Sequence, residues 1–132
     1  MTRRSRAREI AFQVLYQDDL NPGNDADDGA FLRRRLGSDD LVQFARELVD
    51  GVRTYRDEMD VLIESGAENW SLGRMAATDR NVLRLGAYEI LHGDTPPRVA
   101  IDEAVELAKR FGSAQSAQFV NGILDRLMHV ER

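Results

Sequence analysis

From Asp39 to Gly66 the chain places Leu41, Ala45, Leu48, Val52, Tyr55, Met59 and Leu62 at alternating steps of four and three residues. Only an α-helix turns that spacing into one continuous apolar face. Val42, Val49 and Ile63 widen the stripe beyond a two-stranded coiled-coil seam, so this long helix is expected to support a globular bundle, with Gly66 as its stop. Whatever else the chain folds into must lie along it.

The preceding segment predicts a first helix from about Arg4 to Asp19, with Ala7, Ile10, Ala11, Val14 and Leu15 on its buried face. Arg8, Phe12 and Tyr16 follow at four-residue steps along another ridge. Phe12 reads equally as a core contact or an exposed ring, whereas Tyr16 lies nearly opposite the main stripe and is expected at the surface. Asn21 to Gly29 reads as a loop, and Ala30 to Leu36 as a short helix. Arg33, Arg34 and Arg35 read as a basic patch or, in preference, as its solvated face, with Asp25, Asp27 and Asp28 weakening any local positive field.

Beyond the long helix, Trp70 is expected to be mostly buried and Ser71 to cap a short turn through Met75. Thr78 or Asp79 then opens a helix whose face of Val82, Leu83, Gly86, Ala87 and Ile90 mixes large and small residues, permitting close contact. Glu89 within it reads as a satisfied structural acid rather than a catalytic one. Gly93 and Pro96-Pro97 end that helix. From Arg98 to Leu127 the pattern gives two helices meeting at a tight corner, the first buried through Ile101, Ala104, Val105, Ala108 and Phe111. Gly112 stands where a left-handed C-terminal residue is wanted, and Ser113 or Ser116 can cap the second helix. Val120, Ile123, Leu124 and Leu127 face inward in that helix, with Phe119, Asn121 and Asp125 on its sides. Gly122 is expected to admit a closely approaching backbone, because periodicity runs straight through Asn121-Gly122. No strand pattern survives, so the class is all-α, with about five longer helices and one or two short ones.

At 132 residues the chain amounts to one domain, long enough to bury roughly two thirds of its unfolded surface. Its formal net charge is -5, yet four of its 18 basic residues, Arg3, Arg4, Arg6 and Arg8, lie in the first eight positions with no acid among them. The other fourteen face 23 acidic residues. That asymmetry argues against nucleic-acid binding by the whole surface and for a localised basic end. Exposed arginines can fork onto phosphates, and a nearby ring can stack on an unpaired base.

With no cysteine, disulfides and thiolate metal sites are excluded, and a reducing, cytoplasmic setting is compatible. Glu9, Gln13 and Gln17 interrupt any signal-peptide core after the basic start, and no stretch approaches a membrane span. His92 and His129 have no metal-ligand spacing, and no Gly-rich phosphate loop occurs. No enzyme activity, cofactor or metal is expected.

Three ordered motifs, RAREIAFQVLY near the start, DRNVLRLGAYEIL in the middle and IDEAVELAKRFG with FVNGILD near the end, make nearly the whole chain resemble the NusB family of bacterial transcription antitermination factors. Asn21 to Gly37 carries no comparable signature. The resemblance implies a single domain over residues 1–132 with a basic arm at 1–8, built as two small bundles sharing the long central helix. It implies binding of boxA-type single-stranded RNA jointly with the ribosomal protein NusE, in complexes that carry RNA polymerase past terminators during ribosomal RNA synthesis. On this footing Arg3, Arg4, Arg6 and Arg8 hold phosphates, Tyr16 supports a base or sugar, Phe119 and Asn121 contribute from FVNG, and Arg80 and Arg84 extend the path. For Phe119 and Asn121, helix packing and a local hydrogen bond remain equally open. Ser5 stands where relatives can carry another base. Asp79 and Glu89 are the acids expected to receive a basic partner, and a homodimer stays open. Two other classes compete: a helical adaptor whose arm binds acidic protein, and an accessory module of an rRNA methyltransferase system, although the chain carries no downstream catalytic domain.

Overall fold

The computed structural model describes residues 2–23, 28–68 and 70–129. Six α-helices follow one another: α1 (Arg3–Leu20), α2 (Asp28–Leu36), α3 (Asp39–Gly66), α4 (Ala77–Leu91), α5 (Pro97–Phe111) and α6 (Ser116–Met128), with a 3-10 turn at Leu72–Arg74 before α4. No strand occurs among the described residues. Helices α1 and α2 lie against each other and against α3, while α4, α5 and α6 pack on one another; α3 contacts members of both groups. The long central helix is therefore shared, as its periodicity requires. So is α4, which packs against α1, α3, α5 and α6 and buries Asn81 through Ala87 without a break.

Local chemistry explains most boundaries. Thr2 caps α1 by accepting the Ser5 N–H at 3.0 Å. Gly37, at φ +70°, closes α2 with its N–H on the Arg33 carbonyl. Pro97 opens α5, where its missing N–H costs nothing.

Several expectations are corrected. In α3 the expected stripe is interrupted at Tyr55, which adopts a non-helical φ of −103° and ψ of 15°. Met59 and Ile63 continue the buried face, and Tyr55 is left 39% exposed, stacked on His92 at 3.9 Å. Gly66 is the last helical residue, but the α3 cap is Ala67, with negative φ. Neither Thr78 nor Asp79 caps α4, which begins at Ala77 after Ala76. Phe111 is 38% exposed at the end of α5, outside the buried stripe. Gly112 is extended rather than left-handed, at φ −98° and ψ −165°; what requires glycine is crowding, since a Cβ would stand 2.4 Å from the Ser116 hydroxyl. That hydroxyl reaches back to accept the Ser113 N–H, leaving Gln115 as an α6 cap without a side-chain bond. Gly122 lies within α6, but among the described residues no other segment comes within 4 Å of a Cβ placed there, so the expected close approach is not found. Trp70 is 51% exposed, because its ring meets Phe119 edge-on at the surface instead of entering the core.

Candidate nucleic-acid interface

The residues expected to meet RNA divide into an exposed group and a committed one. Arg3 and Arg4, on the exposed first turn of α1, make no ion pair with any described residue; Arg3 donates to the Ser38 hydroxyl at 3.2 Å and Arg4 lies 4.4 Å from the centre of the Phe44 ring. A guanidinium over a ring keeps its outward N–H groups available. Arg6 is tethered more firmly, 3.0 Å from Glu9, a buried carboxylate that Arg110 also holds. The arm is thus a set of cations fixed in position by neutral or shared partners.

Arg8 belongs to the interior. It is 4% exposed, and its Nε and Nη2 donate to the two carboxylate oxygens of Glu89 at 2.8 and 2.9 Å, with Thr95 donating to the same acid at 2.7 Å. That fork removes Arg8 from the groups a phosphate can reach, and it removes Glu89 from the surface expected to receive a partner. Glu89 is the satisfied structural acid expected from its place in an apolar helix.

Arg80 and Arg84 are likewise committed. Arg84 is 4% exposed and donates to both oxygens of Asp60, at 2.8 and 3.0 Å. Arg80 donates to Asp19 at 2.8 Å and to the carbonyls of Leu72 and Met75 at 2.9 and 3.1 Å, tying the 3-10 turn to α4. Asn81 adds a bond to Asp19 at 2.9 Å. Burial by itself would raise the Asp19 pKa, but the bonds from Arg80 and Asn81 and the charges of Arg80 and Arg84 outweigh it, so the net shift is downward. These two arginines brace the molecule through bonds within the chain, Arg84 in the interior and Arg80 partly exposed.

Tyr16 is half-buried, less open than its position opposite the main stripe suggested, because it forms part of a groove between α1 and α2. The groove has a volume of about 740 Å³ and is floored by Phe12, Tyr16, Phe31 and Phe111. Phe12 takes the core alternative, 4% exposed, with its ring 5.4 Å from Phe111 and 5.9 Å from Tyr16. Arg34 and Arg35 stand on the rim, and Thr78 from the start of α4 closes one side. Asp79, the other acid expected to meet a partner, follows Thr78; it is half-buried, and its Oδ1 is enclosed with no hydrogen-bond partner among the described residues. Phe119 is half-buried against Trp70, and Asn121 is exposed on the same helix.

The α2 side of this groove was missed by reasoning from sequence, although Phe31 and the Arg33–Arg35 run signalled it. His92 bonds Glu58 at 3.0 Å and His129 pairs with Asp125. No group of three metal-ligating side chains occurs among the described residues. No helix of the described residues is long and apolar enough to cross a membrane.

The family model described as "NusB family" matches residues 5–129. The transcription antitermination protein NusB of Myxococcus xanthus is 47% identical over 133 residues, covering 96% of this chain and 95% of its own. Among solved structures, T. maritima NusB superposes with a TM-score of 0.84 at 39% identity, covering 97% of this chain and 91% of that one. Antitermination factor NusB solved with NusE and double-stranded RNA gives a TM-score of 0.82 at 29% identity, covering 97% of each chain.

Proposed function

Because this chain belongs to the NusB family, we propose that it is a transcription antitermination factor that binds RNA of the boxA type together with the ribosomal protein NusE, within an RNA polymerase complex transcribing ribosomal RNA. The observation that carries this reading is the pairing of an exposed, acid-free first turn, Arg3 and Arg4, with the aromatic groove containing Tyr16 further along the same helix. Phosphates meet the arm, and an unpaired base meets the ring. Full-length similarity to a NusB that was solved with NusE and RNA supports the joint assembly.

On this reading the contact set contracts to Arg3, Arg4, Arg6, Tyr16, Phe119 and Asn121. NusE is received near Asp79, whose enclosed carboxylate oxygen lacks a hydrogen-bond partner among the described residues. The protein performs no catalysis of its own. It supplies a preformed surface, and specificity arises from which unpaired bases fit it.

Anisotropy titrations with boxA, scrambled and duplex RNA, each with and without NusE, test the reading. Three phosphate-bound arginines give a slope of log affinity against log salt of roughly −2 on single strands. Preference for boxA, strengthened by NusE and lowered about tenfold in the Arg4→Ala/Arg6→Ala variant, is the expected result. Equal affinity for all RNAs regardless of NusE would overturn it, and a homodimer seen by sedimentation that dissociates on adding RNA would place self-association on the same face.

A further inference from the structure

Tyr55, where α3 departs from helical geometry, belongs to an aromatic platform that the RNA-binding reading does not use. Its ring is stacked on His92 at 3.9 Å with the planes 9° apart, and Tyr88 stands 6.3 Å from Tyr55 and 6.1 Å from His92. Tyr88 lies directly on the α3 backbone, since a Cβ at Gly51 would fall 2.2 Å from its ring. We propose that this platform, with the carboxylates beside it, is a docking surface for an arginine-bearing basic segment of another protein. It stands at the C-terminal end of α4, whereas Asp79 and the Thr78 wall of the α1–α2 groove lie in the first turn of that helix. The proposal goes beyond the RNA-binding reading and does not rest on it.

Charge selects the occupant. Glu58 Oε1 lies 3.0 Å from His92 Nε2, and Glu47 accepts from the neutral Gln43 amide at 3.1 Å. Asp50 and Asp94 are exposed and form no ion pair with a described residue. Burial pushes the Tyr88 hydroxyl above its usual pKa, and the nearby charges of Glu47 and Asp94 push it further the same way. The bases of this stretch of α3 are engaged by other acids: Arg53 holds Asp18 and Asp28, and Arg56 lies 3.9 Å from Asp19 and from Asp60. Helix α4 has no basic residue in its last turn, so its terminal carbonyls add to the negative field around His92.

Other rings of the chain carry their own cations. Arg4 lies over Phe44, Arg35 over Phe31 and Arg110 over Phe111. Among the described residues no guanidinium lies over Tyr55 or Tyr88, although Tyr55 is 39% exposed. A planar guanidinium can stack on such a ring and fork onto a neighbouring carboxylate, which a compact ammonium cannot do. Glu47 and Glu58 are 11 residues apart, roughly 16 Å along a helix, a span that about five residues of extended chain would cover. Val61, exposed one turn beyond Glu58, offers apolar surface for the methylene stem of an arginine.

The probe is a fluorescent glycine–serine peptide carrying two arginines, set against the same peptide with citrulline, which keeps the side-chain shape and lacks the charge. Anisotropy gives affinities for the unaltered protein, Tyr55→Leu, Tyr55→Phe and Glu47→Gln/Glu58→Gln. Asp39→Asn/Asp40→Asn, an exposed acid pair elsewhere on α3, is the charge-matched control, and thermal melts confirm folding. We expect citrulline and the Glu47/Glu58 pair each to weaken binding about tenfold and Tyr55→Leu about three- to fivefold. Tyr55→Phe, which keeps the ring, and the control pair should stay within about twofold, and Tyr55→Leu should bind RNA and NusE as the unaltered protein does. Lack of saturable binding below about 1 mM, equal affinity for the two peptides, or equal losses from the two acid pairs would overturn the site. A fall in RNA or NusE affinity in Tyr55→Leu would assign the platform to those partners, and a sedimented dimer that Tyr55→Leu dissociates would assign it to a second copy of the chain. Either result overturns the proposal and leaves the RNA-binding reading standing.

Discussion

The arginines around α4 and those along the α1–α2 rim are chemically identical and serve opposite ends. Arg8 and Arg84 are each forked onto a carboxylate in the interior, and Arg80 is fastened to Asp19 and two carbonyls. Arg3, Arg4, Arg34 and Arg35 are exposed and lack an acid partner among the described residues. Interior guanidiniums hold helices in register, since each is neutralised only when two distant segments meet. Three of the rim guanidiniums lie against a hydroxyl or a ring, Arg3 on Ser38, Arg4 on Phe44 and Arg35 on Phe31, which fixes their position without cancelling their charge.

The sharpest way to break that distinction is to truncate one of each kind. Arg8→Ala leaves Glu89 buried without its fork and is expected to cost about 3–5 kcal/mol of stability, read as a large fall in the urea midpoint. Arg4→Ala should change stability by less than about 0.5 kcal/mol and be felt only in RNA affinity. A double replacement of Arg8 and Glu89 by apolar residues should recover much of the lost stability, because the penalty comes from the orphaned charge. Equal midpoints for Arg8→Ala and Arg4→Ala would dissolve the comparison.

Spacing alone could not separate the two kinds of arginine. The acids that claim Arg8, Arg80 and Arg84 lie 81, 61 and 24 residues away, so nothing in the local pattern marks them. Arg8 sits on the ridge of Phe12 and Tyr16 and reads like its neighbours in the arm. The apolar faces were legible because burial follows a local period: Ala7, Ile10 and Ala11, or Ile123, Leu124 and Leu127, are all buried. The same period misled at Tyr55, which a kink that leaves no mark in the hydrophobic pattern turns outward, while Met59 and Ile63 stay buried as the pattern requires. It also hid the groove, since a cavity between α1 and α2 depends on how far apart two helices stand.

Asp19 links the interior set to pH. Its folded-state pKa lies below the usual 3.8, so its ionised form contributes stability fully above the unfolded value, and that contribution is lost as pH falls through the folded value. Asp19→Asn should therefore cost about 1.5–3 kcal/mol at neutral pH, the range for hydrogen bonds to charged groups, with the gap to the unaltered protein closing as pH drops below about 4. Denaturant titrations from neutral pH down to about pH 3 measure it. A constant gap across that range would mean that Asn81 and the carbonyl bonds, rather than charge, hold Arg80 and α4 in place. Rim variants such as Arg34→Ala should leave the acid limb unmoved.

Glycines sharpen the same contrast at the smallest scale. Gly86 lies in the interior helix, where an added Cβ would stand 2.6 Å from Leu124 and 3.2 Å from the Ala104 methyl; Gly86→Ala should cost about 1–3 kcal/mol by overpacking. Gly122 lies in α6 with nothing within 4 Å of its would-be Cβ, so the chain carries glycine's helix penalty there without a packing return. Gly122→Ala should stabilise by about 1 kcal/mol, raising the melting temperature by several degrees for a domain of this size. Its neighbour Asn121 is exposed and Phe119 is half-buried beside Trp70, so affinity for RNA and NusE decides what the open space is for. A stabilised variant with unchanged binding makes Gly122 a passive position. A stabilised variant that binds either partner more weakly means that the bare patch of helix is the place where a partner comes into contact, and that the rim, unlike the interior, sacrifices stability for access.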